Sequence, residues 1–559
     1  MASCSYGNSR GEPAFRIASK TYRARGVALV GVNANAHEAA EQVAEHAKAY
    51  HASFPVLKDP DNIVADLARA KRTCEAIVLD DRGEVRYRGA IDDQYTLGAH
   101  KAAPTKHYLI DALDALLAGR SVALTETRVV GCLIDRIDPP GRAPGRPKLR
   151  AAPPEIIALR QQEAEAAVEV GPVSYASGVA AVLQAKCQPC HRPGQAAPFS
   201  LLTYEQARRW GPMIREVVAE YRMPPWHADP RFGRFENDRS LSPRERAMLL
   251  AWVEQGMPKG DPKAIPKARA FTDGWSIGRP DLVLEMPQPY TVPAEGTVPY
   301  QVFRVPTDFS EDVWVQAAEA RPGDRQVVHH VCVFIDDGTA GGRLGDMPEL
   351  ACYAPGDIPS IFPPGTAKRI AAGSTLVFQV HYTPIGVERL DRCSVGLVFA
   401  RRPVTRLAIT KGIACKDLVI PPGARAYPAR ATFTVPVDAL LLSLMPHMHL
   451  RGKDFVYQAR YPDGRVETLL SVPAYDFAWQ SVYRLATPKP LPRGTRLDCL
   501  AHFDNSADNP NNPDPSQTVT WGEQTWDEMM IGYIDYSVDL RDAGPALLSS
   551  RRGAKTGSR

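Results

Sequence analysis

Five histidines in the C-terminal half of the chain stand in apolar, strand-like runs: His329 and His330 in QVVHHV, His381 in VFQVHYTP, and His447 and His449 in LMPHMHLRG. A short acidic-aromatic run, TWDEMMIGY, then offers Met529. Two groups of three soft or borderline donors are what a pair of copper ions requires. The His-x-His pair sets both rings on one face of a strand, ready for one metal. Adjacent histidines on a regular strand point to opposite faces, so His329 and His330 can share a metal only at a bulge or a strand end. Imidazole suits either copper oxidation state, whereas a thioether favours the cuprous ion. A three-histidine site and a two-histidine-plus-methionine site therefore suggest different tasks, electron storage and oxygen activation. Catalytic zinc is the alternative at His329, His330 and His381, since three histidines suit it too. His502, in CLAHFDNS, is read as structural.

A third metal signal is CQPCH, Cys187 to His191. Two thiols three positions apart can add to the vinyl groups of haem, and the adjacent imidazole can bind its iron. A structural disulfide or a zinc half-site shares that pattern, but no second cysteine pair of suitable spacing lies nearby. SGVAAVLQAK reads as a helix leading into the motif. A thioether as sixth ligand raises the haem potential, and Met223 in YRMPPWHADP is the choice, because the following prolines hold it in a loop. Met213, Met248 and Met257 compete, each with core packing as its ordinary reading, and His227 ranks lower. LSPRERAMLLAWVEQG reads as a helix capped by Ser242 before Pro243.

These residues need several scaffolds. A chain of 559 residues exceeds one core, and roughly three or four domains are expected. Residues 1–125 read as α/β: GVALVGVNAN and FPVLKDPDN as strands, HEAAEQVAEHAKAYH as a helix, and EAIVLDDRGEVRYRG as a hairpin around Asp-Arg-Gly. KHYLIDALDALLAG is a helix ending at Gly119. Residues 126–168 are a Pro-rich linker followed by the helical stretch IIALRQQEAEAAVE. Residues 169–265 form a small all-α unit of cytochrome c type. From 275 the texture changes to short alternating runs broken by Pro and Gly, the pattern of antiparallel β-sandwiches. There is room for two, 275–402 and 403–542, with a polar tail at 543–559.

The net charge of +4 gives no reason to invoke nucleic acid, and no apolar run approaches bilayer length. The start, MASCSYGNSRGEP, lacks the basic segment and apolar stretch of a secretory signal. Covalent haem and copper–oxygen chemistry both point outside the cytoplasm, to the periplasm or beyond. The start is therefore read as internal to a longer gene product, the alternative being a cytoplasmic protein with an unused CQPCH. Of the ten cysteines, Cys332, Cys352, Cys393, Cys415 and Cys499 lie in the β-rich region. Some pairing is expected there, and since five is odd at least one stays free or pairs elsewhere.

The α/β part resembles the thioredoxin-like peroxiredoxin family of alkyl hydroperoxide reductase/thiol-specific antioxidant type. The strand that should precede the active cysteine is absent, Cys4 falls about where the reactive cysteine sits, and Cys74 in KRTCEAIVLD takes the place of a cis-proline. This implies a degenerate thioredoxin-like docking module, or alternatively a thiol peroxidase using Cys4. The ordered set His329-His330, His381, His447-Met448-His449 and Met529 resembles the type II copper, ascorbate-dependent monooxygenases, which include peptidylglycine α-hydroxylating and dopamine β-monooxygenases. By that match His329, His330 and His381 bind the electron-storing copper, and His447, His449 and Met529 bind the copper at which oxygen reacts. Cys393 matches a family cysteine. In the animal enzymes a cysteine follows the ligand methionine; here it is Met530, which leaves Cys499, the counterpart of its partner, without that bond.

The resemblance implies a monooxygenase that hydroxylates a C–H bond of a small-molecule or peptide substrate with O2. Its cofactors would be two copper ions and one covalent c-type haem, with electrons from ascorbate or a redox protein relayed through the haem. The competing reading is an electron-transfer or copper-handling protein without hydroxylase activity.

Overall fold

The computed structural model describes residues 20–95, 101, 104–136, 170–195, 197–271, 274–339, 341–354 and 358–544. Cys4, the helical stretch expected after the Pro-rich linker, and the tail beyond 544 lie outside them. In the N-terminal unit, strand Gly31–Asn33 runs parallel to Val56–Lys58, with helix Ala40–Ala49 between them. Ala76–Leu79 and Val85–Gly89 form the expected antiparallel hairpin. Helix Tyr108–Leu117 buries Leu109, Ala112, Leu113 and Ala115, and Gly119 follows with φ 67°, as a helix C-cap requires. Cys74, also at positive φ (60°), begins the stretch that leads into the hairpin. The unit is tied to the next by Glu216, only 2% exposed, which accepts from Arg72 at 2.6 Å and Arg222 at 2.5 Å.

The second unit is all-helical. Ser174 caps the helical turns Tyr175–Val179, Ala180–Val182 and Leu183–Cys187, which deliver the CQPCH motif. Helices Tyr204–Arg209, Gly211–Ala219 and Pro243–Glu254 follow, the last started by Ser242 in a capping box with Glu245. Val179, Leu183, Leu249, Trp252 and Val253 form its dry centre.

The β-rich region corrects one expectation. Two separate, wholly antiparallel sandwiches are not what forms. The first lobe faces a four-stranded sheet, in the order Glu349–Tyr353, Val328–Asp336, Thr375–Tyr382, Gln301–Pro306, against Thr366–Ile370, Val313–Arg321, Ser394–Phe399 and Leu282–Glu285. The second lobe faces Tyr427–Thr434, Arg496–Phe503, Gly452–Arg460 and Val466–Val472 against Tyr483–Leu491, Ala439–Met448, Met530–Asp539 and Arg406–Ala414. The larger sheet is continuous across both lobes, because Thr366–Ile370 pairs in parallel with Arg406–Ala414, Thr366 opposite Arg406. That shared sheet fixes the two lobes, and hence their histidines, relative to one another.

Strand alternation decides which side chains leave the core. On Thr375–Tyr382, residues Leu376, Phe378, Val380 and Tyr382 are buried in the first-lobe core, so Gln379 and His381 face the other way. On Met530–Asp539, Met530, Ile534, Tyr536 and Val538 enter the second-lobe core, while Ile531, Tyr533 and Asp535 face a cavity between the lobes.

Candidate metal centres

On strand Val328–Asp336, Val331, Val333 and Ile335 point into the core, and strict alternation would send residue 329 there too. Instead Val328 is buried, and the register against Thr375–Tyr382 slips: His330 pairs with His381, but Val328 pairs with Tyr382. His329 is the extra residue of this bulge, which turns its ring to the same side as His330. The donor atoms of His329, His330 and His381 all lie within 4.8 Å of one another. The Nδ1 atoms of His329 and His330 are 3.1 Å apart, the span of two nitrogens sharing a metal at ~2.0–2.1 Å with an angle of about 100°. His381 Nδ1 is buried without a hydrogen-bond partner, and an orphaned buried nitrogen beside two others fits a bound ion. Burial pulls His330 well below the usual imidazole range and His381 down to about 4. Those two rings are therefore neutral, with lone pairs available at pH 7. The Tyr300 ring stacks on His381 at 4.9 Å.

In the second lobe, a bulge on Ala439–Met448 between Leu441 and Ser443 resets the alternation, so that Leu444 and Met448 enter the core while Met445 and His447 line the cavity. Register with the neighbouring strand is His447 opposite Ile531 and Met448 opposite Met530. Continued by one step, it sets His449 across from Met529, with His447, His449 and Met529 on one face. The two imidazoles lie 5.3 Å apart. His447 Nδ1 meets Gln480 Oε1 at 2.6 Å and His449 Nδ1 meets the Asp527 carbonyl at 3.2 Å. These contacts fix each ring and leave Nε2 for a metal. Burial lowers both histidines, His449 to about 3.

Besides Gln480, three residues that sequence reasoning missed hold this site together. Glu528, fully buried, accepts the N–H of His449 at 2.9 Å and of Arg451 at 2.6 Å, and also that of Met529. Tyr475 grips Met448, its hydroxyl accepting the N–H at 3.1 Å and donating to the carbonyl at 2.8 Å. Phe477 stands between the two centres, stacked on His329 at 5.6 Å and edge-on to His449 at 5.9 Å. Glu528 had a visible signal, an acidic residue entering an apolar strand beside Met529; Gln480 and Phe477 had none. His330, His447 and Met529 all line the same inter-lobe cavity of about 760 Å³.

The cysteine pattern resolves by register: Cys332 and Cys352 are directly opposite and form a disulfide. Cys393, Cys415 and Cys499 remain thiols. The Cys393 thiol donates to Asp391 at 3.0 Å, and Cys499 packs against Gly532 and Tyr457 where a bond is absent. His502 pairs with Asp454 at 2.7 Å, remote in role from either centre.

In the helical unit, Cys187 and Cys190 are unpaired thiols, and burial pushes Cys187 up to about 12. His191 Nδ1 lies 3.2 Å from the Phe199 carbonyl, which leaves Nε2 for iron, and burial pulls the ring down to about 4. The donor set fits covalent haem. Met223 sits half-buried in the loop after Gly211–Ala219, its N–H on the Val217 carbonyl at 3.2 Å. Met248 and Met257 pack over Gly178 and Gly211 in the core, Met213 is half-buried on its helix, and the His227 backbone bonds the Tyr483 hydroxyl in the second lobe.

Among solved structures, residues of this chain match a hypothetical protein from Sinorhizobium meliloti, with 30% identity over 23% of this chain and 73% of that one, TM-score 0.22. An uncharacterized conserved protein from Geobacillus kaustophilus matches at 26% identity over 23% of this chain and 70% of that one, TM-score 0.21. The major capsid protein P2 of bacteriophage PM2 matches at 9% identity over 46% of this chain and 97% of that one, TM-score 0.20. The chain's own elements make it multidomain, an N-terminal α/β region and a helical unit followed by a large, mostly antiparallel β region. No protein-family model and no curated protein matches it.

Proposed function

We propose that this chain is a copper-dependent monooxygenase of the type II, ascorbate-dependent kind, hydroxylating a C–H bond of a small molecule, with a covalent c-type haem in its electron supply and maturation outside the cytoplasm. The observation that carries this reading is the approach of two histidine sets, from two lobes, to one cavity, to whose wall His330 and His447 each give a ring. Copper held there would supply one-electron chemistry with dioxygen, the overall reaction placing one oxygen atom in substrate and, with two electrons and two protons from outside the substrate, the other in water.

The protein's own part is positional. His329, His330 and His381 present nitrogens from a bulged strand pair, a rigid set suited to cycling one electron. His447 and His449, oriented by Gln480 and the Asp527 carbonyl, would hold a second ion together with the soft sulfur of Met529. A volume of about 760 Å³ is that of a drug-sized ligand pocket, which favours a small-molecule substrate over a peptide. Phe334, Leu344, Met347, Phe362 and Leu442 make one part of its wall apolar, while Glu349, Arg484 and Asp535 make another part polar. A substrate-sized cavity reached by His330 and His447 favours this reading over an electron-transfer or copper-handling protein, and oxygen uptake discriminates the two.

The test is oxygen uptake by anaerobically reduced, copper- and haem-loaded protein with a panel of small apolar substrates, reading ¹⁸O incorporation into product. Met529→Leu is expected to abolish incorporation while leaving haem absorbance intact. Incorporation that persists in that variant overturns the assignment.

A further inference from the structure

Between the helical unit and the second lobe runs a segment that neither metal motif explains. Residues 224–238 leave the helical unit at Met223 and return to it at Asp238, whose carbonyl accepts from Lys186 Nζ, next to Cys187, at 3.3 Å. In between, the segment is built into the second lobe. The Glu236 N–H donates to the Arg484 carbonyl at 3.0 Å, the Ala486 N–H to the Arg234 carbonyl at 2.8 Å, and Phe235 bridges Leu485 in antiparallel sense. This adds a short strand to the edge of the shared sheet, where Tyr483–Leu491 is the last strand. Asp229 N–H reaches the Ser471 carbonyl at 2.8 Å, and Asn237 exchanges hydrogen bonds with Val482 and Arg484 at 2.8 and 3.1 Å. Gly233 has φ 73°, and a Cβ there would stand 2.8 Å from the Leu469 carbonyl oxygen, so only glycine lets the segment lie this close.

Its aromatic residues are buried with the lobe. Trp226, 4% exposed, belongs to the second-lobe core and lies 4.9 Å from the Tyr483 ring; Phe235 completes the cluster at 5.9 Å from Trp226 and 5.4 Å from Tyr483. Tyr483 is three residues from Gln480, whose Oε1 is 2.6 Å from His447 Nδ1. From the loop of Met223 the chain thus leads three residues on to Trp226, across a ring contact to Tyr483, and three residues back along the backbone to Gln480, which holds His447.

We propose that this segment is the electron conduit of the protein, and that it delivers into the second lobe, at the His447/His449/Met529 centre, rather than into the three-histidine centre. The proposal rests on the haem and copper reading above. The step moves one electron and no atoms: a ferrous haem is oxidised to ferric, and a cupric ion held by the second lobe is reduced to cuprous, the haem having been reduced by an external one-electron donor. Trp226 and Tyr483 supply the ring-to-ring contact along the way.

The experiment uses full-length protein carrying haem and cupric copper, under anaerobic conditions. A photoexcited one-electron donor reduces the haem in a flash, and its re-oxidation is followed by the haem absorbance together with the cupric electron paramagnetic resonance signal. The fast phase is expected to be lost in His447→Ala/His449→Ala and in Trp226→Leu, and retained in Trp226→Phe and in His330→Ala/His381→Ala. A fast phase that survives in His447→Ala/His449→Ala, or that vanishes in His330→Ala/His381→Ala, overturns the proposal, and these arms stand even if Trp226→Leu does not fold. Haem and copper content, measured first, separates the two levels: wild-type protein that takes up neither group defeats the underlying reading, whereas a loaded protein with the other pattern defeats the conduit alone.

Discussion

Glu528 offers the sharpest perturbation of the second-lobe centre that touches no proposed ligand. Its carboxyl group, which burial pushes up to about 8, accepts from the N–H groups of His449, Arg451 and Met529, and so pins the end of strand Ala439–Met448 to the start of strand Met530–Asp539. Glu528→Ala would strand three buried donors at roughly 1–3 kcal/mol each, about 3–9 kcal/mol in all. That is comparable with the whole stability of a domain, ~5–15 kcal/mol. The informative variant is therefore Glu528→Gln, which keeps the shape and one acceptor but sets an amide N–H₂ against a backbone donor, at about 1–3 kcal/mol. Expressed at the metal, loss of such an orienting contact weakens binding about 10–100-fold. A competition titration with a cuprous chelator, performed anaerobically, reads the two sites as separate steps. The expected result is that the weaker step shifts while the three-histidine step stays in place, with the sulfur signal in copper X-ray absorption reduced. Equal weakening of both steps, or no shift in either, would refute the clamp.

Other outcomes follow from other contacts. Replacing Cys187 and Cys190 by Ser removes the covalent attachment, and denatured protein should then release its haem into organic solvent; haem that stays with the chain contradicts the thioether reading. Asp93 tests the N-terminal unit. Burial raises its carboxyl, but the Lys101 ammonium, the Thr105 hydroxyl and two backbone N–H groups outweigh that and hold it at about 2. A depressed carboxylate stabilises the fold above the unfolded value near 4, and that contribution is lost as pH falls through about 2. Asp93→Asn should therefore cost about 1 kcal/mol at neutral pH, the full shift being discounted for solvent screening, and almost nothing near pH 2, read by hydrogen exchange of the hairpin; a pH-independent cost contradicts it. Glu216→Gln should loosen the N-terminal unit from the helical one without altering copper content, seen as faster proteolysis between them; unchanged protection would show that Arg72 and Arg222 do not hold that joint.

What could be read from the chain was what is local. The His-x-His spacing, the need for a bulge at His329-His330, the capping box at Ser242 and the glycine stop at Gly119 all depend on neighbours a few residues away, and the structure contains each. What could not be read depends on pairings far apart in sequence. The parallel contact of Thr366 with Arg406 joins the lobes into one sheet, yet neither strand's pattern announces a parallel partner. The Cys332–Cys352 bond follows from a register that spacing does not give. Gln480 and Phe477 lie on an irregular loop, where no periodicity marks the side chain that turns inward. The strand contributed by Phe235 to Leu485 spans the boundary between two units that composition separates cleanly.

The account depends most on two centres with different donors, and metal content decides it. Protein matured in a periplasm and analysed for copper, zinc and haem iron should return two coppers and one iron per chain. His381→Ala and His449→Ala should each lose one copper while the iron is unchanged. Zinc in place of copper at the three-histidine centre, or a copper count indifferent to both substitutions, would contradict it.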